Sequence, residues 1–185
     1  MHTALVRDAI ALAFRGVLAV VFGLTAFAWP HLSTAGLVLL FGAYAVADGL
    51  FALAAAAWAG TWHLRRWPFL GEAGASVLWG AFAFLRAGMP EFELLTLIAT
   101  WAIVTGIFEC AAAAAVELES HCKRLLALNS LASVLLGVLL LTFPGGDVLT
   151  VVWLVGVYAC LFGILLLMLA FRLRALRHHL AHHPA

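Results

Sequence analysis

Four charged side chains lie inside otherwise apolar stretches of this 185-residue chain: Arg15, Asp48, Glu72 and Glu109. In a low-dielectric setting each is costly, and such residues mark proton relays, ion paths or helix ties. Arg15 lies sixteen residues before a break centred near His31, and Asp48 seventeen after it. At about 1.5 Å per helical residue the two stand at nearly the same depth. A step of 57 residues carries Arg15 onto Glu72 and Asn129, and Asp48 onto Thr105. Arg15, Asp48, Glu72, Thr105 and Asn129 are therefore expected to form one polar layer, with Glu109 one helical turn beyond it. One guanidinium against three carboxylates leaves a carboxylate without a partner, and such a group favours its neutral form in low dielectric. Two readings follow. In the first, Glu72 or Glu109 takes up a proton on acidification, beside a fixed Arg15–Asp48 pair. In the second, the charges tie helices together, and Arg15 and Glu109 reach the surface on their long side chains.

The elements that must position these residues form an internal repeat. Gly23, Gly80 and Gly137 are 57 apart, and so are Gly49, Gly106 and Gly163. Tyr44, Trp101 and Tyr158 keep the same step. Fixed spacing with drifting identity marks a repeated unit. Each unit holds two long apolar stretches around a break that carries Trp29-Pro30, Met89-Pro90 or Phe143-Pro144. The expected helices are 9–29, 33–57, 68–86, 92–115, 125–143 and 148–171. They make three helical hairpins, about 9–57, 68–115 and 125–171, followed by a His-rich tail over 172–185.

Composition fixes the solvent. The chain is 66% hydrophobic and 10% charged, with a mean hydropathy of +1.11. Soluble domains are about 45–50% apolar and about 25% charged. A helix crosses the hydrocarbon with roughly 20 apolar residues. The chain reads as all-α, a single integral membrane domain over 1–185 with six transmembrane helices. Ala26-Phe27-Ala28 mimics a signal-peptidase site. Cleavage there is not expected, because the run before it is the first helix of the first unit.

Cys110, Cys122 and Cys160 have no metal or redox spacing and read as small apolar residues. His178, His179, His182 and His183 read as an exposed, disordered tail, or as groups that bind a metal ion or lose and gain charge near about pH 6. Thr25, Ser33, Thr34, Ser76, Ser130, Ser133 and Thr142 read as hydroxyls satisfied by their own helices. No cofactor or metal site is expected. The chain lacks GxSxG, HExxH, P-loop and CxxC motifs, so no enzyme is expected either. The net charge of +1 says nothing about nucleic acid, but no basic stripe is present and no nucleic-acid partner is expected.

Arg7, His63, Arg65, Arg66, Lys123, Arg124, Arg172, Arg174 and Arg177 all fall at one end of the hairpins, and only Arg86 falls at the other. The positive-inside rule then places both termini in the cytoplasm. The three hairpins enter from one side, as parallel repeats about an axis along the membrane normal. Pseudo-threefold symmetry is expected. Gly16–Gly23, Gly42–Gly49, Ala73–Gly80, Ala99–Gly106, Ser130–Gly137 and Gly156–Gly163 are each seven apart, which puts each pair on one helix face. Small residues let backbones approach closely in lipid, so these seams are expected to face one another.

The ordered set of Trp67, Phe69-Leu70-Gly71-Glu72, Gly80, Pro90 and Trp101 through Glu109 resembles a repeat of the HdeD family of bacterial acid-resistance membrane proteins. Arg15-Gly16, Phe22-Gly23, Trp29-Pro30, Gly42-Ala43-Tyr44 and Asp48-Gly49 in the first unit fit the same pattern. The third unit departs from it, with Asn129 in place of Glu72 and Phe162 in place of Asp48. The resemblance spans about residues 9 to 175 and implies a small, multi-pass protein of the bacterial inner membrane, linked to acid stress. The alternative is a proton-coupled small-solute transporter or channel. The expected partners are the lipid bilayer and other membrane helices, including further copies of the chain.

Overall fold

The computed structural model describes residues 2–29, 33–58, 67–115, 120–142 and 148–182. They form six helices: α1 (His2–Ala28), α2 (Thr34–Trp58), α3 (Trp67–Leu85), α4 (Glu91–Ala115), α5 (Ser120–Thr142) and α6 (Val148–His182). No strand is present among the described residues. A continuous helix satisfies every backbone N–H and C=O internally, as hydrocarbon demands. Five stretches are long and apolar enough to cross a membrane: Thr34–Ala54, Trp67–Leu85, Glu91–Ala115, Ser120–Thr142 and Val152–Arg172. The apolar part of α1 is shorter, Leu12–Ala28, because Arg7 and Asp8 interrupt it on the N-terminal side.

Local signals set the helix ends. The residue before a proline is pushed out of helical backbone, and α1 stops just before Trp29-Pro30. Ser33 caps α2, its Oγ accepting the Gly36 amide at 3.2 Å. Pro68 is the second residue of α3 and Pro90 immediately precedes α4, places where no helical N–H is missed. Three ends differ from expectation. The first helix begins at His2, the fifth at Ser120, and the sixth runs on to His182. Residues 172–182 are therefore helical and not a disordered tail. Arg, Leu and Ala are strong helix formers, and they carry α6 past its apolar run. His63, Arg65, Arg66, Trp62 and His183 lie outside the described residues.

Every helix leaves large apolar side chains in the open. Phe14, Leu50, Leu78, Ile107, Leu135 and Leu161, one from each helix, are 54 to 66% exposed. An apolar surface this extensive suits lipid, not water. Trp29 and Trp67 are exposed at helix ends, where interfacial aromatics belong.

The closest helix pairs are α1 with α6, α2 with α3 and α4 with α5, while α1–α2, α3–α4 and α5–α6 pack more loosely. Small residues explain the difference. A Cβ built on Gly16 would stand 2.8 Å from the Gly163 carbonyl oxygen, and one on Gly23 2.7 Å from that of Gly156. In α2–α3 the same test puts Gly49 2.9 Å from the Ala73 oxygen and Gly80 2.9 Å from that of Gly42. In α4–α5 it puts Gly106 3.0 Å from the Ser130 oxygen and Gly137 2.6 Å from that of Ala99. The seven-spaced pairs thus meet backbone to backbone across three seams.

Two apolar clusters bracket the expected polar layer. The larger includes Phe22, Phe41, Trp101 and Leu140 and lies mostly toward the end with Trp29 and Pro90, with Phe162 and Leu166 of α6 reaching the level of the layer itself. The smaller joins Ala113, Cys122, Leu126 and Leu169 on the other side, toward the chain termini.

Candidate functional site

Five helices, α1 to α5, contribute charged or amide groups to the layer. Arg15 of α1 is 5% exposed, Asp48 of α2 and Glu72 of α3 1%, and Glu109 of α4 2%. Arg15 and Glu109 therefore turn inward; the expected reach to the surface does not occur. Three carboxylates around the guanidinium offer partners that replace its lost water. Arg15 Nε donates to Asp48 Oδ1 at 2.7 Å, and Nη2 donates to Glu72 Oε1. The same Nη2 stands 3.6 Å from Glu109 Oε1. Asn129 of α5 donates from Nδ2 to Glu109 Oε2 at 2.9 Å. Arg15, Asp48, Glu72, Glu109 and Asn129 thus meet as one cluster. Thr105 is buried at the same level but bonds its own helix, donating to the Trp101 carbonyl at 2.8 Å.

The network reaches further than the charged residues. Ser76 donates to Asp48 Oδ2 at 3.1 Å and accepts from Trp101 Nε1 at 3.1 Å. This corrects the expectation that Ser76 is satisfied by its own helix: its partners come from α2 and α4. Ser133 does bond its own helix, at Asn129 O, and its Oγ also lies 2.6 Å from Tyr158 Oη on α6. A usable signal was present. The 57-residue step carries Ser76 onto Ser133 and Trp101 onto Tyr158, so one serine–aromatic contact recurs. In the first unit the pair is Ala19 and Tyr44, and Tyr44 stacks on Phe22 with ring centroids 4.9 Å apart.

Two buried acceptors in the cluster, Glu109 Oε1 and Asn129 Oδ1, have no hydrogen-bond partner among the described residues. Among those residues no group of three or more His, Cys, Asp and Glu is arranged to hold a metal ion.

A family model described as a short repeat of unknown function (DUF308) matches residues 14–85 and 128–182, more than half of the chain. The chain belongs to this family. No curated protein and no solved structure matches it. The first DUF308 match contains Arg15, Asp48, Glu72 and Ser76, and the second contains Asn129, Ser133 and Tyr158. Trp101, Thr105 and Glu109 lie between the two matched regions. Glu109 is also the one carboxylate of the cluster whose repeat equivalents, Ala52 and Leu166, are apolar and buried.

Ser76→Ala tests the neutral part of the network. It removes a partner from both Asp48 and the Trp101 indole, and a buried group left so costs about 1–3 kcal/mol. Thr142→Ala removes an exposed hydroxyl bonded to its own helix and should stay within about 0.5 kcal/mol. Reversible unfolding in mixed micelles measures both. Equal effects would remove Ser76 from the site.

Proposed function

We propose that this DUF308 protein is a non-enzymatic, HdeD-like protein of the bacterial inner membrane, linked to acid stress, whose buried layer takes up protons. One observation carries the reading: among the described residues a single guanidinium faces three carboxylates, none of the four groups more than 5% exposed. Arg15 balances one negative charge and leaves two. An ion buried without a partner costs several kcal/mol. Protons are the counter-ions that need no added space. Asp48 is bonded on both oxygens, by Arg15 and Ser76, and Glu72 is engaged by Arg15. Glu109 keeps one oxygen unbonded. The geometry therefore favours Glu109 over Glu72 as the proton's seat, which charge counting alone leaves even.

The same reading places both termini in the cytoplasm, on the side that carries most Lys and Arg. It takes α1 as the sixth span, supported by its close seam with α6, itself long enough to cross. It takes the three units as hairpins about a pseudo-threefold axis, supported by the three tight seams that join successive units. Its partners are the bilayer and other membrane helices, its own copies included. A transporter needs polar groups through the full depth. Here the layer lies between two apolar clusters, which favours a proton-responsive bundle over a conduit.

Infrared difference spectra of the protein in lipid, taken across an acid step, test the reading. On an acid step that stops above the range of exposed carboxylates, the carbonyl band of a protonated carboxylic acid should grow, and Glu109→Gln should lack it. A wild-type spectrum without such a band would sink it. Liposomes with an internal pH dye should show no more proton flux than empty ones, and a deletion strain should survive acid less well than one complemented with wild type.

A further inference from the structure

Where α5 and α6 pack loosely, toward the chain termini, they leave a cleft of about 440 Å³. Three basic side chains, His121, Arg124 and Arg172, line one part of it. The rest is apolar: Leu125, Leu128, Met168 and Phe171. Among the described residues no acidic side chain lines it.

Helix geometry explains the grouping. His121, Arg124 and Leu128 fall at intervals of three and four, on one face of α5. Met168 and Arg172 are one turn apart on α6. Depth then separates charge from hydrocarbon. The apolar stretches are Ser120–Thr142 and Val152–Arg172, so His121, Arg124 and Arg172 stand at the ends of their spans. Leu128 and Met168 lie about one turn deeper, at acyl-chain level. Leu128 is 51% exposed, Met168 44% and Phe171 66%, so the cleft opens sideways into the surrounding lipid.

We infer that this cleft binds an anionic phospholipid, with the phosphate between Arg124 and Arg172 and an acyl chain along Leu128, Met168 and Phe171. Basic pockets between membrane helices recognise such headgroups. The N-terminal end of α5 adds the positive pole of its helix to the same place. A free phosphate ion would make no use of the apolar wall. A zwitterionic headgroup brings its own cation into a cleft that already holds positive charge. The site lies on the outer face of α5, apart from the buried Asn129, and stands or falls independently of proton uptake.

The test is titration of the detergent-solubilised full chain with phosphatidylglycerol, phosphatidylcholine and inorganic phosphate, read by native mass spectrometry. Phosphatidylglycerol should bind at least about tenfold more tightly than phosphatidylcholine, and phosphate should not displace it. Each arginine near an anionic headgroup is worth about a factor of five, so Arg124→Gln with Arg172→Gln should weaken binding about 30-fold. Arg86→Gln, at the opposite end, should leave binding unchanged. If the double variant fails to fold, the single variants carry the test, each with about a fivefold loss. Equal binding of the two lipids, displacement by phosphate, or arginine variants that bind like wild type would each overturn the site.

Discussion

Arg15→Gln is expected to cost about 3–5 kcal/mol, because it strips from three buried carboxylates the one cation that pairs with them among the described residues. That is a large share of the about 5–15 kcal/mol by which native proteins are stable. Folded yield should fall sharply, and the unfolding midpoint in mixed micelles should drop with it. Combining Arg15→Gln with Asp48→Asn and Glu72→Gln removes two of the three orphaned charges, leaving Glu109, and should recover part of the loss. Neighbouring members of one network are not additive, and the recovery measures their coupling. Glu109→Gln should behave in the opposite way. It removes the least compensated charge and keeps an acceptor for Asn129, so its stability should equal or exceed that of wild type. If Arg15→Gln unfolds at the wild-type midpoint, the cluster carries no electrostatic load. Proton uptake would then lose the charge imbalance it rests on.

These opposite signs separate two roles that look alike in sequence. A layer that only ties helices together weakens whenever a member is neutralised. A layer that stores uncompensated charge weakens when its cation goes and relaxes when its spare carboxylate goes. The third unit carries a partly apolar version of the same positions. Phe162 stands where Asp48 does in the first unit and is 5% exposed, and Leu166 stands where Glu109 does in the second and is 1% exposed. The bundle can therefore fill these positions with hydrocarbon, and stability alone does not require the carboxylates.

Depth is legible in the sequence because helical rise and the 57-residue step fix it, and together they put Arg15, Asp48, Glu72 and Asn129 in one layer. Direction is not. A long side chain at that depth can turn to the headgroups or to the bundle centre, and only the rotation of neighbouring helices decides. For Arg15 the three carboxylates decide it. Ser76 was misread for a related reason. A serine in an apolar helix has a ready acceptor four residues back, and only the arrival of Asp48 from α2 and Trp101 from α4 provides a better set. The helix ends of α1, α5 and α6 ran beyond the expected spans because hydropathy measures the hydrocarbon's thickness and not the helix's length. The small-residue seams were legible as faces, but which helix meets which was not. Adjacent stretches suggest the two arms of one hairpin, whereas the tightest contacts join one unit to the next.

Those seams hold the second large effect. Gly163→Val should abolish most folded protein. A Cβ at Gly163 would stand 2.5 Å from the Gly16 carbonyl oxygen and 2.9 Å from the Val20 nitrogen, both backbone atoms. Non-bonded heavy atoms attract at about 3.5–4.0 Å, so α1 and α6 must part by on the order of 1 Å. Overpacking of this kind costs about 1–3 kcal/mol for the first added carbon, and the valine methyls add to it. The displacement also reaches the site. Gly16 follows Arg15 in the chain, so a shift of α1 at this seam draws the guanidinium away from Asp48 and Glu72. Gly163→Val should therefore resemble Arg15→Gln, and adding Asp48→Asn and Glu72→Gln should recover part of its loss. Gly74→Ala is the matched control. Apart from its own stretch of α3, no heavy atom of the described residues lies within 4 Å of the added Cβ, and alanine should stabilise the helix by up to about 1 kcal/mol. If the two glycine variants unfold alike, the close approach of α1 and α6 does not hold the layer together. The pairing of charges would then have to survive a seam that can open freely.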